Sequence, residues 1–422
     1  MNILHYNQFQ SLYIIQDKYV ILDFLKNQMF DYKKSTYTPN YRYDKEYDEM
    51  AKNLDALIKD VRNGTLDITI ITDYACNMRC LYCYEHSWQQ KSLPKKANPV
   101  LVVDFIKQLF NSSEFKSVRI NILGGEPLMS HNIEFLDEVI KKLKKLDIPT
   151  MFQMTTNGLN IVDYIGKIIE WEIRDFQITL DGMQKVQNTR RMPLDMIDGF
   201  EKITQGIDLL LNNKNISVSL RINVDKNNVD EIPELAKFIQ KKQWNESNFY
   251  AYIYPVTYSG NKNYILDSSD VEIFEMILNT LRNQSKEIRD FFALDFHGIA
   301  YVKSILNGQL PTIRNKFCGH ALGQYVISNT GEVYSCWWGA EHDDFKIGNI
   351  KNQKKINESK ILDFSNRSMK NIERCKTCKF KYLCGGGCTF KEWIDNKTLD
   401  QGHCSNFDEL IYQYLLYYYN FI

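Results

Sequence analysis

The sequence predicts an α/β protein built on a curved, partial (β/α)6 barrel, followed by a loop-rich part that is folded around metal. After residue 67, six apolar β-type runs alternate with helical stretches of roughly 10–15 residues, which implies right-handed crossovers and a parallel sheet. Seven of the ten cysteines lie from Cys318 onward, and none lies between Cys83 and Cys318. Two separate metal sites are therefore expected, with ligands binding at the carboxyl ends of the strands.

Length and charge limit the class of protein. The 422 residues suffice for two or three domains of roughly 150 residues each. The 52 basic and 52 acidic residues cancel, so nucleic acid is not an expected partner. No secretory signal opens the sequence, and no uncharged apolar run approaches ~18 residues. We therefore expect no membrane association and a cytoplasmic location, where clustered cysteines are more often metal ligands than disulfides.

Three domains are predicted: an N-terminal extension (1–66), a barrel (67–310) and a cysteine-rich C-terminal domain (311–422). In the extension, Ser11–Leu22 is predicted as one or two short strands and Asp44–Asn63 as a helix. The extension could be a peptide-recognition element of the winged-helix kind. A simple extension packed on the next domain is the favoured interpretation.

The barrel elements follow from the periodicity of apolar residues. The predicted strands are Asp67–Thr72, Ser117–Leu123, Thr150–Thr155, Asp175–Leu180, Ser217–Val224 and Asn248–Tyr254. The predicted helices between them are Pro99–Leu109, Asn132–Leu146, Val162–Trp171, Met196–Leu211 and Ile232–Lys241. Further helices are expected at Asp270–Arg282 and Asp408–Ile422, on either side of the irregular cysteine-rich stretch.

Directly after the first strand, Cys76, Cys80 and Cys83 are spaced as CX3CX2C. Three thiolates can hold one face of a [4Fe–4S] cube and leave the fourth iron open for a cofactor. A zinc site that takes His86 as its fourth ligand is the alternative. The position of the loop at a strand end of a βα barrel favours a catalytic cofactor.

Polar motifs follow the next strands as well. The second strand ends in Gly124-Gly125-Glu126-Pro127, where glycine lets backbone approach a ligand closely, although such a motif alone could be an ordinary turn. The third strand ends in Thr155-Thr156-Asn157-Gly158. Arg190 and Arg191 follow the fourth; either guanidinium suits a carboxylate, and a solvated charge pair is the alternative.

Together these motifs resemble the radical S-adenosylmethionine (SAM) superfamily, whose cysteine loop has an aromatic residue at the Tyr82 position. The resemblance implies that the open iron chelates SAM, and that reduction of the cluster yields a 5′-deoxyadenosyl radical that abstracts a hydrogen from the substrate. It implies a SAM cluster on Cys76, Cys80 and Cys83. The SAM-binding residues that it implies are Tyr82, Gly124, Gly125, Glu126, Thr156, Asn157 and Arg191.

The C-terminal cysteines resemble the seven-cysteine SPASM pattern (CX9–15GX4C, CX2CX5CX3C, C) at every defined interval. The resemblance assigns the distal auxiliary [4Fe–4S] cluster to Cys375, Cys378, Cys384 and Cys404. It assigns the proximal one to Cys318, Cys336 and Cys388. No cysteine occurs near Thr312 to close the proximal cluster, so its free iron could take a substrate thiolate, water or His320. A structural zinc domain is the alternative, but seven thiolates do not divide into four-cysteine sites.

SPASM enzymes mostly modify ribosomally made peptides, so the resemblance implies a precursor-peptide substrate and an electron donor such as ferredoxin or flavodoxin. Thioether formation on a cysteine-containing peptide is the favoured reaction; a carbon–carbon cross-link or epimerisation stays open. Anaerobic sulfatase maturases are similar but carry a basic aspartate directly after the second SPASM cysteine. Here that residue is Trp337, whose indole cannot accept a proton. An iron–sulfur electron carrier or regulatory module is the non-enzymatic alternative.

The partition of the cysteines into three and seven predicts about twelve irons per reconstituted chain, because each cube holds four. Iron and zinc analysis of anaerobically reconstituted protein tests this. Tightly bound zinc with little iron would contradict the cluster assignment.

Overall fold

The computed structural model describes residues 3–421, except 8, 9, 25, 27, 36–48, 51, 54–63, 90–95, 247, 259, 297, 310–313, 320–322 and 352–355. The strands are β1 (Ile3–Asn7), β2 (Gln10–Ile15), β3 (Lys18–Asp23), β4 (Gln28–Lys33), β5 (Thr65–Ile71), β6 (Met78–Cys80), β7 (Ser117–Leu123), β8 (Thr150–Thr156), β9 (Asp175–Thr179), β10 (Arg191–Pro193), β11 (Ser217–Val224), β12 (Phe249–Pro255), β13 (Ala293–Leu294), β14 (Gln324–Ile327), β15 (Glu332–Tyr334) and β16 (Lys346–Asn349).

The α-helices are α1 (His86–Gln89), α2 (Pro99–Asn111), α3 (Ser130–Lys144), α4 (Ile161–Trp171), α5 (Gln184–Arg190), α6 (Gly199–Leu211), α7 (Ile232–Lys241), α8 (Asp270–Arg282), α9 (Lys286–Arg289), α10 (Ile299–Leu306), α11 (Glu358–Asn366), α12 (Glu373–Lys376), α13 (Lys381–Cys384), α14 (Thr389–Asn396) and α15 (Phe407–Tyr419).

The barrel strands run parallel in the order β5, β7, β8, β9, β11, β12, which confirms the predicted α/β fold. Their side chains alternate between two environments. In β7, Ile120 and Ile122 are buried in the apolar core, whereas Asn121 and Leu123 line the barrel interior. In β8, Phe152 and Met154 belong to the same core, so the layer between sheet and helices is apolar and the barrel interior is not.

The C-terminal part continues the barrel sheet. β14 pairs in parallel with β5, the first barrel strand, and β15 and β16 extend the sheet in antiparallel fashion. The predicted boundary between residues 310 and 311 therefore crosses one ten-stranded sheet. This continuity carries the residues after Cys336 to the open side of the barrel.

The N-terminal residues form a four-stranded antiparallel sheet, β1 to β4, where one or two strands were predicted. Ser11 and Tyr13 donate hydrogen bonds to Asp408 on α15, at 2.8 and 3.0 Å. Phe24 contacts both Tyr301 and Phe380. The extension thus packs on the C-terminal part as well as on the part that follows it in sequence. The predicted helix at 44–63 lies mostly outside the described residues.

Among the described helices, none combines the length and the apolar character that a membrane crossing requires.

Close backbone approach explains the glycine pair after β7. A Cβ on Gly124 would lie 2.5 Å from Thr72 Oγ1, and a Cβ on Gly125 would overlap the carbonyl oxygens of Tyr74 and Ala75. The Gly125 amide donates to Asp73 O at 2.8 Å. The loop after β7 therefore lies directly against the segment that leads from β5 to Cys76.

Gly125→Ala should lower the free energy of unfolding of the apoprotein by ~1–3 kcal/mol, as overpacking does. Gly166→Ala is the matched control, because Gly166 lies inside α4 with nothing within 4 Å of an added Cβ. It should stabilise by about 1 kcal/mol, since alanine is the better helix former. Urea unfolding followed by circular dichroism measures both; equal effects would contradict the packing argument.

Candidate active site

A short antiparallel pair fixes the first cysteine loop. β6 carries Cys80 and pairs with β10, so that Arg191 is the register partner of Cys80 and Pro193 that of Met78. The amide of Leu81 also donates to Arg190 O at 2.9 Å. The residues after the fourth barrel strand are thereby held beside the cysteine loop, which sequence spacing alone could not show.

The hydroxyl of Tyr82 is a hydrogen-bonding centre beneath the loop. It donates to Asp181, and it accepts from Arg191 Nη1 and Asn223 Nδ2, both at 3.0 Å. Tyr82 is buried, and burial raises the pKa of its hydroxyl well above the usual value. These bonds connect the cysteine loop to the ends of β9 and β11.

The structure separates the two arginines. Arg190 is buried in ion pairs with Asp225 at 3.0 Å and with Asp181 at 3.8 Å. The Nε atoms of both arginines lack a hydrogen-bond partner among the described residues, but Arg191 lines a cavity beside the cysteines and Arg190 does not. Arg191 is therefore the guanidinium available to a ligand, whereas Arg190 is occupied within the protein.

Glu126 faces inward. Its fully buried carboxylate accepts hydrogen bonds from Leu128 N at 2.9 Å, from Thr156 Oγ1 at 2.7 Å and from Asn157 N at 2.7 Å. Asn157 Nδ2 in turn approaches Cys76 Sγ at 3.6 Å. Glu126 holds the end of β8 against the loop after β7, and its predicted role in binding SAM stays a prediction.

A cavity of about 430 Å³ opens at the carboxyl ends of the barrel strands. It is lined by all three cysteines of the first loop and by every predicted SAM-binding residue except Glu126. Several buried polar atoms on its wall lack a hydrogen-bond partner among the described residues: Arg191 Nε, Asn121 Oδ1, Gln89 Oε1, Thr257 Oγ1 and Trp338 Nε1. The cavity therefore fits an iron–sulfur cluster at its thiols and SAM at its guanidinium. The unsatisfied polar atoms leave room for a further polar ligand.

Sequence reasoning missed the polar floor of this cavity. Thr69, Asn121 and Gln153 lie side by side on β5, β7 and β8, and Thr155 and Gln177 do so on β8 and β9. The signal was present as polar residues at every second position of apolar strands, because such residues share one face. Arg221 adds a second guanidinium, stacked at 4.0 Å on the ring of Tyr254.

Aromatic residues from both halves of the chain form the opposite wall. Tyr84, next to Cys83, stacks on Trp338 at 5.9 Å and meets Trp337 edge-on at 6.0 Å. Trp337 directly follows Cys336, so the first cysteine loop and the proximal set of cysteines are one aromatic contact apart. Glu85, two residues after Cys83, is a buried residue that lines the cavity, and burial raises the pKa of its carboxyl to about 8.

Three acidic residues that follow Trp337 in sequence lie away from the cavity. Glu341, Asp343 and Asp344 do not line the cavity. Tyr74 donates to Glu341 at 3.1 Å, and Trp393 Nε1 donates to Asp344 at 2.8 Å. These three carboxylates therefore offer no base at the site.

The C-terminal thiols fall into two electrostatic groups. Burial raises the pKa of Cys336, and the Cys388 and Cys318 thiolates raise it further. Burial raises the pKa of Cys384 to about 12, and Cys375, Cys378 and Cys404 act in the same direction. The proximal and distal ligand sets implied by the SPASM resemblance stay predictions.

Metal binding would change the protonation state of these buried thiols. Burial, with Cys80 and Glu126 nearby, raises the pKa of Cys76 to about 12, so the free thiol would stay protonated near neutrality. A coordinated metal deprotonates such a thiol outright. Among the described residues, no three His, Cys, Asp or Glu side chains are grouped closely enough for a single metal ion. A cube of four irons spreads its ligands further apart than one ion does.

Comparison with known proteins agrees with this geometry. Residues 70–239 match the model of the Radical SAM superfamily. The chain contains a radical SAM domain and is an enzyme of that superfamily, whose members use SAM and a [4Fe–4S] cluster. Its cysteine-rich C-terminal part fits additional clusters.

Within that superfamily the chain is similar to maturating enzymes. It is 27% identical over 349 residues to the cysteine-type anaerobic sulfatase-maturating enzyme of Clostridium novyi (strain NT). The matched region covers 79% of this chain and 90% of that enzyme. It is 23% identical over 344 residues to the mycofactocin maturase MftC of Mycolicibacterium smegmatis. The matched region covers 78% of this chain and 79% of that protein.

Two solved structures share the fold. Native anSMEcpe with bound AdoMet and Cp18Cys peptide gives a TM-score of 0.63 at 20% identity, covering 84% of this chain and 96% of that one. Streptococcus suis SuiB bound to S-adenosylmethionine gives a TM-score of 0.55 at 12% identity, covering 96% and 98%.

The two arginines should respond differently to substitution. Arg191→Ala should weaken SAM binding by roughly tenfold or more, since a hydrogen bond to a charged group contributes ~1.5–3 kcal/mol. Arg190→Ala should instead lower the free energy of unfolding by about 3–5 kcal/mol, because Asp225 stays buried without its partner. Calorimetric titration with SAM measures the loss of binding, and urea unfolding measures the loss of stability. If Arg190→Ala were stable and lost more SAM affinity than Arg191→Ala, the roles assigned to the two arginines would be reversed.

Proposed function

We propose that this enzyme is a SPASM-type maturase that modifies a ribosomally made, cysteine-containing peptide in the cavity between the barrel and the C-terminal part. Cys76, Cys80 and Cys83 would hold the SAM cluster. Arg191, Asn157 and the backbone of Gly124 and Gly125 would position SAM. When bound and reduced, this cluster with SAM supplies the radical that removes a hydrogen from the peptide.

One observation supports the proposal above the others: residues beside both predicted cluster sites line one cavity. Tyr84 follows the SAM-cluster ligand Cys83, Trp337 follows the proximal ligand Cys336, and both line the cavity wall. A peptide there would meet the SAM site and lie near an auxiliary cluster that lacks a fourth cysteine. We infer that its open iron holds the peptide thiolate, and that the product is a thioether. Thr312 and His320 lie outside the described residues.

The polar floor suits a peptide substrate. Asn121, Gln153 and Gln177 present amide groups, which can both donate and accept hydrogen bonds as a peptide backbone requires. The aromatic wall of Tyr84, Trp337 and Trp338 offers apolar contact area and excludes water from the reacting atoms. A cytoplasmic location and a ferredoxin or flavodoxin as electron donor complete the proposal.

Formylglycine formation is the second candidate, favoured by the similarity to the Clostridium novyi enzyme. It needs a base to take the substrate proton. The position at which the sulfatase-maturase resemblance implies an aspartate is Trp337, which lines the cavity and cannot accept a proton.

The test is anaerobic incubation with SAM, a reductant and a candidate cysteine-containing peptide, followed by mass spectrometry. A thioether retains the sulfur and removes two hydrogens, whereas formylglycine formation from cysteine removes the sulfur and adds oxygen. Cys76→Ala, Cys80→Ala and Cys83→Ala should each abolish release of 5′-deoxyadenosine. Cys375→Ala should mainly reduce distal-cluster content.

Loss of sulfur from the peptide would establish the second candidate instead of thioether formation. Turnover in any of the three loop variants would contradict the SAM-cluster assignment. Full distal-cluster occupancy in Cys375→Ala would show that the distal ligands are wrongly assigned.

A further inference from the structure

Arg367 lies in the C-terminal part, directly after α11 and 17 residues before the predicted distal ligand Cys384. Within the part of the chain that the structure describes, its guanidinium hydrogen-bonds to backbone carbonyls. Nη1 donates to Gly387 O at 2.9 Å and Nη2 to Gly386 O at 3.2 Å. Nε donates to Leu399 O at 3.0 Å, and Nη2 also donates to Gln401 O at 2.6 Å.

These acceptors belong to two segments that carry cluster ligands. Gly386 and Gly387 lie between Cys384 and Cys388, which are assigned to different clusters, and Gln401 is three residues before Cys404. One side chain therefore ties the loop shared by both clusters to the loop that closes the distal one. The three glycines at 385–387 all have positive φ, so this loop has a backbone that other residues rarely adopt.

The charge of Arg367 also acts on both sets of thiolates. Burial lowers the pKa of its guanidinium, whereas the thiolates of Cys318, Cys388 and Cys375 oppose that effect. Cys318 and Cys388 are predicted proximal ligands, and Cys375 is a distal one. The hydrogen bonds given for this guanidinium go to backbone carbonyls, and Glu392 is the carboxylate that interacts with its charge, after the three thiolates in size of effect.

We propose that Arg367 is a cationic link between the two auxiliary clusters, a positioning residue that raises the reduction potential of both. The inference rests on the ligand sets of the proposed function. Adding an electron makes a cluster more negative, and a fixed positive charge beside it stabilises that reduced form.

Arg374 provides a matched control. Its Nη1 donates to Gly402 O at 3.1 Å, so it is anchored to the same loop before Cys404. Arg374 also directly precedes Cys375 in sequence, and Gly402 lies two residues before Cys404, so the ligands next to it belong to the predicted distal set. The two arginines are thus similar in chemistry and anchoring but differ in the clusters that they face.

The experiment is an EPR-monitored redox titration of the reconstituted full-length protein and of three variants. Arg367→Gln should lower the potentials of both auxiliary clusters and leave that of the SAM cluster, identified by its response to added SAM, unchanged. Arg374→Gln should lower the distal potential only. Arg367→Lys should keep both potentials near those of the unmodified protein, because it keeps the charge.

An unchanged proximal potential in Arg367→Gln, or an equal shift of all three clusters, would overturn the inference. If Arg367→Gln loses the iron of the auxiliary clusters, the Arg367→Lys variant is the deciding measurement. Two loaded auxiliary clusters at normal potentials in Arg367→Lys would support the cationic link. Loss of auxiliary iron from Arg367→Lys as well would show that Arg367 has a purely structural role. Failure of the unmodified protein to carry three clusters would instead count against the proposed function.

Discussion

The pairing of β6 with β10 is the constraint on which the rest of the site depends. Three residues on each side set Arg191 opposite Cys80, and the hydroxyl of Tyr82 then joins Arg191, Asp181 and Asn223. Without this pairing the cysteine loop would be a surface connection of a βα barrel. With it, the thiols, a guanidinium and the ends of two further strands share one cavity, so the local backbone register decides which side chains can reach a cofactor.

The second constraint is the parallel pairing of β14 with β5. A parallel neighbour on the first barrel strand extends the sheet on the side where the barrel is open, and β15 and β16 follow it. This places Cys336 and the two tryptophans after it beside the residues that follow Cys83. The cavity therefore has a polar floor from the barrel strands and an aromatic wall to which the C-terminal part contributes, and neither half could form it alone.

Much of this architecture is visible in the sequence because it depends on local periodicity. β7, β11, α7 and α8 begin and end at the predicted residues, and the other barrel strands differ at their ends by one or two residues. Apolar alternation and helical spacing are local signals. The first cysteine loop is a local signal too, since its spacing suits a short loop around a cube, whereas both C-terminal ligand sets stay predictions from the SPASM resemblance.

What the sequence could not show depends on long-range pairing and on side-chain direction. Arg190 and Arg191 have the same chemistry, and only the register of β10 decides that one enters an ion pair and the other the cavity. Glu126 stands in the predicted motif, yet its carboxylate is held by Thr156, Asn157 and Leu128. The four-stranded N-terminal sheet is fixed by Asp408, almost four hundred residues away in sequence.

The cavity wall bears on which reaction the enzyme performs. A reaction that must remove a proton from its substrate needs an acceptor close to the reacting atom. The position at which the sulfatase-maturase resemblance implies such an acceptor is Trp337. Glu341 and Asp344 accept from Tyr74 and Trp393 and do not line the cavity, whereas Glu85 does. A thiolate bound to an open iron needs no such acceptor, because the metal already keeps it deprotonated. Under the proposed function, the three-cysteine proximal set would hold a substrate sulfur for capture of a carbon radical, and Glu85 is the cavity residue that would serve as the proton acceptor in formylglycine formation.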